Sequence, residues 1–167
     1  MTGKALRAMV VGIPNSGKSS LINRLSGEKK AKTEDRPGVT LQKQWIQTAY
    51  GIELLDMPGV LWPKFSDRRI GLNLSFTGAI KDDILDICDI ACELCSALRT
   101  LYPVQFSVRY KLTPEDLSLE KYALLRKIGQ NRGFLLSGGE IDDERTSKIL
   151  LDEFRGGKIG RITLEEP

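Results

Sequence analysis

The first largely apolar run is Leu6 to Val11, broken only by Arg7, with Met9-Val10-Val11 apolar on both faces. A run without alternation suits a central parallel strand covered on both sides. From Gly17 to Leu25 the pattern turns helical: Leu21, Ile22 and Leu25 share a face, and Gly27 ends the run. Glu28 to Leu41 is polar, contains Arg36-Pro37-Gly38 and reads as a loop. Lys43 to Ala49 alternates, with Trp45, Gln47 and Ala49 on one side. Tyr50-Gly51 is a turn signal and Ile52-Glu53-Leu54-Leu55 a further strand, so the two strands pair as a hairpin.

After Pro63 the spacing is helical throughout. Helices are expected over Arg68 to Ile80, Asp82 to Leu101, Thr113 to Ile128 and Asp142 to Phe154. Asp82 and Asp83 favour a helix start, Pro103 reads as following a helix end, and Gly129 and Gly156-Gly157 read as stops. Ser137-Gly138-Gly139 is a turn, and Ile159 to Leu164 an extended tail. The fold class is therefore α/β: three strands and a helix in residues 1–66, then an all-helical domain in residues 67–167, the boundary falling near Phe65 to Arg69.

Composition narrows this only slightly. The chain has 167 residues, 41% hydrophobic, 28% charged, with a net charge of +3 that permits nucleic-acid contact without demanding it. No apolar stretch is long enough to span a membrane, and the amino terminus lacks a secretory core. Three cysteines, Cys88, Cys92 and Cys95, cannot all pair; helical spacing makes them core residues of a reduced, cytoplasmic protein rather than metal ligands. Histidine is absent, which removes a histidine base from this chain.

The chemistry lies in Gly12-Ile13-Pro14-Asn15-Ser16-Gly17-Lys18-Ser19, a complete G-x-x-x-x-G-K-[ST] loop between a strand and a helix. Its glycines let successive N–H groups turn toward phosphate oxygens, and the helix start adds positive potential. Lys18 reaches the β- and γ-phosphates, and the Ser19 hydroxyl is placed to ligate Mg²⁺. Asp56-Met57-Pro58-Gly59 closes an apolar strand; beside the loop strand its carboxylate faces Mg²⁺ and the Gly59 N–H faces the γ-phosphate. In a Ras-like arrangement Thr40 can close the Mg²⁺ shell when triphosphate is present, and loss of the γ-phosphate would release the Thr40 and Gly59 loops.

These segments, with Arg36-Pro37-Gly38-Val39-Thr40, Leu61-Trp62-Pro63-Lys64, Thr77-Gly78-Ala79-Ile80, Ser137-Gly138-Gly139 and Gly160-Arg161-Ile162, resemble the ribosome biogenesis GTPase A family over nearly the whole chain. The resemblance implies a partial Ras-like P-loop GTPase domain followed by a helical domain that contacts ribosomal RNA. It implies GTP or GDP with Mg²⁺ as ligands, and the large ribosomal subunit and its rRNA as partners, without DNA or membrane. It also implies a monomeric full-length protein in the cytoplasm. By position, Asn15, Ser16, Gly17, Lys18, Ser19 and Ser20 hold the phosphates. Ser19, Thr40 and Asp56 serve Mg²⁺, Gly59 belongs to the second switch, and Asn15 matches the place where potassium-dependent relatives ligate K⁺. A loop-forming asparagine is the alternative for Asn15.

Two departures stand out. No N-K-x-D element for guanine occurs, and the family carries it upstream of the phosphate loop. The chain is thus expected to be the carboxyl-terminal half of a longer protein, weakly stable alone, with a bare edge on the first strand. Val60 also follows Gly59 where many GTPases place a water-orienting glutamine, so slow turnover is expected and the catalytic group in this chain is unknown. A nucleotide-holding rRNA-binding module and a P-loop ATPase remain alternatives. Lys121, Arg126, Lys127, Arg132, Lys148, Arg155, Lys158 and Arg161 are either a solvated face or rRNA contacts. Trp45 and Trp62 are expected to pack beside the hairpin and second switch rather than stack on bases.

Overall fold

The computed structural model describes residues 6–27, 42–61, 64 and 67–165. The chain forms two compact units, Met1–Ser66 with Gly78–Lys81, and Asp67–Thr77 with Asp82–Pro167.

In the first unit, β1 (Leu6–Val10), β2 (Gln44–Gln47) and β3 (Ile52–Asp56) form a sheet of order β1-β3-β2, with α1 (Lys18–Ser26) between β1 and β2 in sequence. β1 and β3 are parallel, Val10 opposite Asp56; β2 and β3 are antiparallel, Trp45 opposite Leu55. The Thr48 side chain closes the hairpin, accepting from Tyr50 N and Ile52 N and donating to the Ile52 carbonyl. Strand alternation puts Ala8, Val10, Ile46, Ile52 and Leu54 on one face. Ile22 of α1 packs there with Ile46 and Leu54, which seats the helix over the sheet. The opposite face carries Arg7, Met9, Trp45 and Leu55. Met9 and Val11 are exposed, and among the described residues β1 has β3 as its one ladder partner. The exposure of Met9 and Val11 departs from the strand covered on both faces that the apolar run predicts.

In the second unit, α2 (Arg68–Phe76), α4 (Pro103–Tyr110), α5 (Lys121–Arg132) and α6 (Asp143–Arg155) pack around α3 (Ile87–Leu101). Ala91, Leu94, Cys95 and Leu98 of α3 are fully buried at the centre of one core with Phe106, Leu124, Leu125, Ile128, Leu150 and Leu151. Each buried leucine of this kind contributes roughly 1.5–3 kcal/mol.

Several boundaries differ from the sequence reading. α2 ends at Phe76, four residues short of Ile80. Arg155 meets that end: its guanidinium donates to the Ser75 and Phe76 carbonyls and, twice at 2.8 Å, to Asp82. Asp82 and Asp83 lie in a separate 3₁₀ turn, and α3 starts later because Asp86 accepts from Cys88 N and Asp89 N as its cap. Pro103 begins α4, a helix the pattern did not suggest, since proline is as fit for the first helical turn as for a stop. Thr113 to Leu119 makes only a 3₁₀ turn at Asp116–Ser118, and α5 runs through Gly129 to Gly133, whose φ of 68° forms the true stop. Gly129 is internal because a Cβ there would stand 2.5 Å from Thr146 Oγ1 and 2.7 Å from Ile141 Cγ2. The tail 159–164 is an irregular strap with Ile159 buried.

Candidate nucleotide-binding site

The loop between β1 and α1 has the shape its sequence demands. Asn15 (φ 57°) and Gly17 (φ 81°) both take left-handed backbone, which curls a short loop into a concave nest of N–H groups. Gly17 caps α1 without a side chain, so an anion can fill the acceptor role that a Ser or Asp cap would take. Ser16 Oγ donates to the Ile13 carbonyl at 2.8 Å and Lys18 Nζ to the same oxygen at 2.6 Å, holding the ammonium against the loop. Burial pushes Lys18 below its ordinary pKa, and the nearby Asp56 opposes this only in part. An ammonium held so gains from an additional anion.

β3 delivers Asp56 beside the loop because it lies parallel to β1 in this register. Asp56 is fully buried, Ser19 Oγ donates to its Oδ2 at 3.2 Å, and Oδ1 is buried with no hydrogen-bond partner among the described residues. A buried carboxylate oxygen left bare is costly unless a cation meets it. Ser19 hydroxyl and Asp56 carboxylate are hard oxygen donors, the set that suits Mg²⁺. After β3 the chain presses onto the loop: a Cβ on Gly59 would stand 2.5 Å from both Pro14 Cα and Pro14 N, and Val60 N donates to the Gly12 carbonyl at 3.4 Å. That Gly59–Pro14 contact was invisible in the sequence, where only the D-x-P-G pattern marked the position.

The structure thus brings together Lys18, Ser19, Asp56, Gly59 and the loop residues Asn15 to Ser20. Thr40 and Trp62 lie outside the described residues. Trp45 is 53% exposed, with the Arg7 guanidinium 5.1 Å over its ring, so it is not packed away. No helix among the described residues is long and apolar enough to cross a membrane.

The basic set divides. Six of the eight cations named from sequence hold carboxylates: Lys121 on Glu93, Arg126 on Asp143, Lys127 on Asp116, Arg132 on Glu153, Lys148 on Glu144 and Arg155 on Asp82. Glu153 is a buried hub. Burial opposes its ionisation, but donors from Arg109, Tyr110 and Arg132 outweigh that and hold its pKa down to about 2. Cys92 and Cys95 are buried, and burial raises Cys92 to about 11, which fits inert core thiols. No metal-binding cluster of three such side chains occurs among the described residues.

Comparison with known proteins gives the same picture. The chain is 50% identical to Ribosome biogenesis GTPase A of Bacillus cereus over 166 residues, covering 98% of this chain and 55% of that protein. It is 49% identical to the Priestia megaterium protein of the same name, covering 56% of it. The chain thus spans little more than half the length of these curated relatives. Among solved structures, the GDP-bound structure of TM YlqF matches with a TM-score of 0.66 at 24% identity, over 99% of this chain and 62% of that one. The GNP-bound YlqF from T. maritima matches with a TM-score of 0.65 at 23% identity, over 98% and 60%. These two show a shared fold. Residues 7–132 match the family described as 50S ribosome-binding GTPase, and with its phosphate loop and buried Asp56 the chain belongs to that family.

Proposed function

We propose that this protein binds and hydrolyses GTP in late assembly of the large ribosomal subunit, acting in the cytoplasm on the subunit and its rRNA. The observation that carries the reading is Asp56: fully buried, one carboxylate oxygen on Ser19 and the other without a donor, beside a loop whose lysine is desolvated. Ser19 and Asp56, with Thr40, would hold Mg²⁺, which when bound neutralises charge on the β- and γ-phosphates. Asn15 to Ser20 cradle the phosphates through backbone N–H groups, and Lys18 pairs with the β,γ-oxygens. The Gly59 N–H meets the γ-phosphate, so its packing on Pro14 couples the segment after β3 to the loop. Asn15 is in our reading the K⁺ ligand. The names of the relatives support guanine as the base.

Val60 favours a second reading. It follows Gly59, is 73% exposed, and as an aliphatic side chain orients no water. Turnover would then depend on a group outside this chain, or the protein would hold nucleotide while acting as an rRNA-binding module. Steady-state GTP turnover by the full-length protein, with and without large subunits, separates the two. Hydrolysis accelerated by the subunit and lost in Lys18→Ala supports the GTPase. Tight nucleotide binding with turnover at background in both conditions supports the module, and ATP competing equally with GTP would turn the base assignment over.

A further inference from the structure

Eight cations of the helical unit are engaged by carboxylates, the six above together with Arg68 on Glu93 and Arg109 on Glu153. Apart from these, Arg69 of α2 and Arg145 of α6 are exposed without an ion pair among the described residues, Arg145 lying 4.8 Å over the Phe134 ring, but they sit singly on helices that also carry paired cations. Lys111, Lys158 and Arg161 are grouped. These three are exposed and make no ion pair among the described residues. Lys111 caps the carboxyl end of α4, and Lys158 and Arg161 lie on the strap that follows α6. Residues 94–114 and 156–164 contain no aspartate or glutamate.

The two segments share one surface. Tyr102 Oη accepts from Thr163 N at 2.8 Å and donates to the Thr163 carbonyl at 3.0 Å. A Cβ on Gly160 would lie 3.7 Å from Gln105 Cγ. The strap therefore runs antiparallel to α4, Gly160 beside Gln105 and Thr163 beside Tyr102. Ile159 and Ile162 anchor it in the core, while Lys158 and Arg161 stay exposed. On α4, Val104 and Val108 stand one turn apart at 70% and 77% exposure, although Phe106 and Tyr110 of the same helix are buried. The nearest buried carboxylate, Glu153, is covered by Arg109, Tyr110 and Arg132, so it lends this surface no free negative charge.

We propose that α4 and the strap form the surface on which this protein grips a structured RNA backbone. Lys111, Lys158 and Arg161 meet phosphates, and the Val104–Val108 ridge lies against ribose and base faces. The inference rests on the ribosome-factor reading and narrows it to a face. Two adjoining segments without carboxylates, bearing unpaired cations beside an apolar ridge, suit a polyanion whose charges alternate with flat apolar groups. The paired cations elsewhere would first have to abandon their carboxylates.

The test is binding of the full-length protein to a 30-base-pair RNA duplex and to purified large-subunit rRNA, measured from 50 to 300 mM KCl. Replacing Lys111, Lys158 and Arg161 together by Gln lowers affinity and reduces the slope of log K against log salt by about 3, close to 1 for each phosphate contact. Val104→Ser with Val108→Ser weakens binding severalfold at unchanged slope. Lys148→Gln, which removes a paired cation, leaves the slope intact. Circular dichroism melts confirm that each variant folds. A triple variant with wild-type affinity and slope overturns the proposal, as does equal binding of polyglutamate, which would make this a surface for acidic protein. If the wild type binds neither RNA at low salt, the rRNA reading itself fails; that outcome is distinct from loss of the face alone.

Discussion

Gly59→Ala is the sharpest structural perturbation of the site. The added methyl would stand 2.5 Å from Pro14 Cα and Pro14 N, and 3.0 Å from the Ile13 carbonyl carbon. Ordinary contact between such atoms is about 3.5–4.0 Å, so the shortfall is about 1 Å and falls on backbone, which cannot rotate aside. Overpacking of this kind costs about 1–3 kcal/mol. Either the phosphate loop yields or the segment after β3 lifts away. In the first case nucleotide affinity falls about fivefold to a hundredfold, at 1.4 kcal/mol per decade. In the second, GDP affinity survives and the preference for triphosphate is lost. Titration of fluorescent GDP and of a non-hydrolysable GTP analogue distinguishes these. Gly138→Ala, where a Cβ meets nothing within 4 Å, is the control. A Gly59→Ala protein that binds both nucleotides as the wild type does, with an unchanged melt, would refute the claim that Gly59 is locked onto the loop.

Other outcomes follow from the helical unit. Glu153 has a folded pKa near 2 against an ordinary 4.5, so its contribution is full above about pH 4.5 and is lost as pH falls toward 2. The shift corresponds to about 3 kcal/mol, and urea melts across that window should show the wild type losing stability that Glu153→Gln already lacks at neutral pH. Gly129→Ala should cost about 1–3 kcal/mol, because its methyl meets Thr146 and Ile141 at 2.5 and 2.7 Å; an unchanged thermal midpoint would show that the α5–α6 crossing is looser than described. Asp86→Ala removes the acceptor of two N–H groups at the start of α3 and should cost about 1 kcal/mol, whereas Asp83→Ala in the 3₁₀ turn should cost far less.

The phosphate loop was legible because eight neighbouring residues impose one geometry, and Asp56 because a strand followed by D-x-P-G has few other uses. The pairing of β2 with β3 also followed from a short local pattern, the turn at Tyr50-Gly51, whereas the register of the sheet did not. The helical unit was harder. Pro103 was read as an end because the same ring that stops one helix starts another, and α4 escaped notice. The double acid Asp82-Asp83 drew attention from Asp86, the true cap. Gly129 looked like a stop, although its reason is a contact with Thr146, 17 residues along the chain, that no local window contains. How the basic set divides into paired and unpaired cations was hidden for the same cause: partners such as Glu153, 21 residues from Arg132, are settled only by tertiary packing. Lys111 stood alone in sequence and became interesting only once α4 and the strap were seen together.

The proposed function requires that Lys18, Ser19 and Asp56 surround a magnesium-bound triphosphate tail. Calorimetric titration of the full-length protein with GDP and a GTP analogue, with and without Mg²⁺, tests it most directly. The claim requires magnesium-dependent binding that weakens at least tenfold in Lys18→Ala and loses its magnesium dependence in Asp56→Asn. Heat of binding that is absent in the wild type, or indifferent to both substitutions, would contradict it.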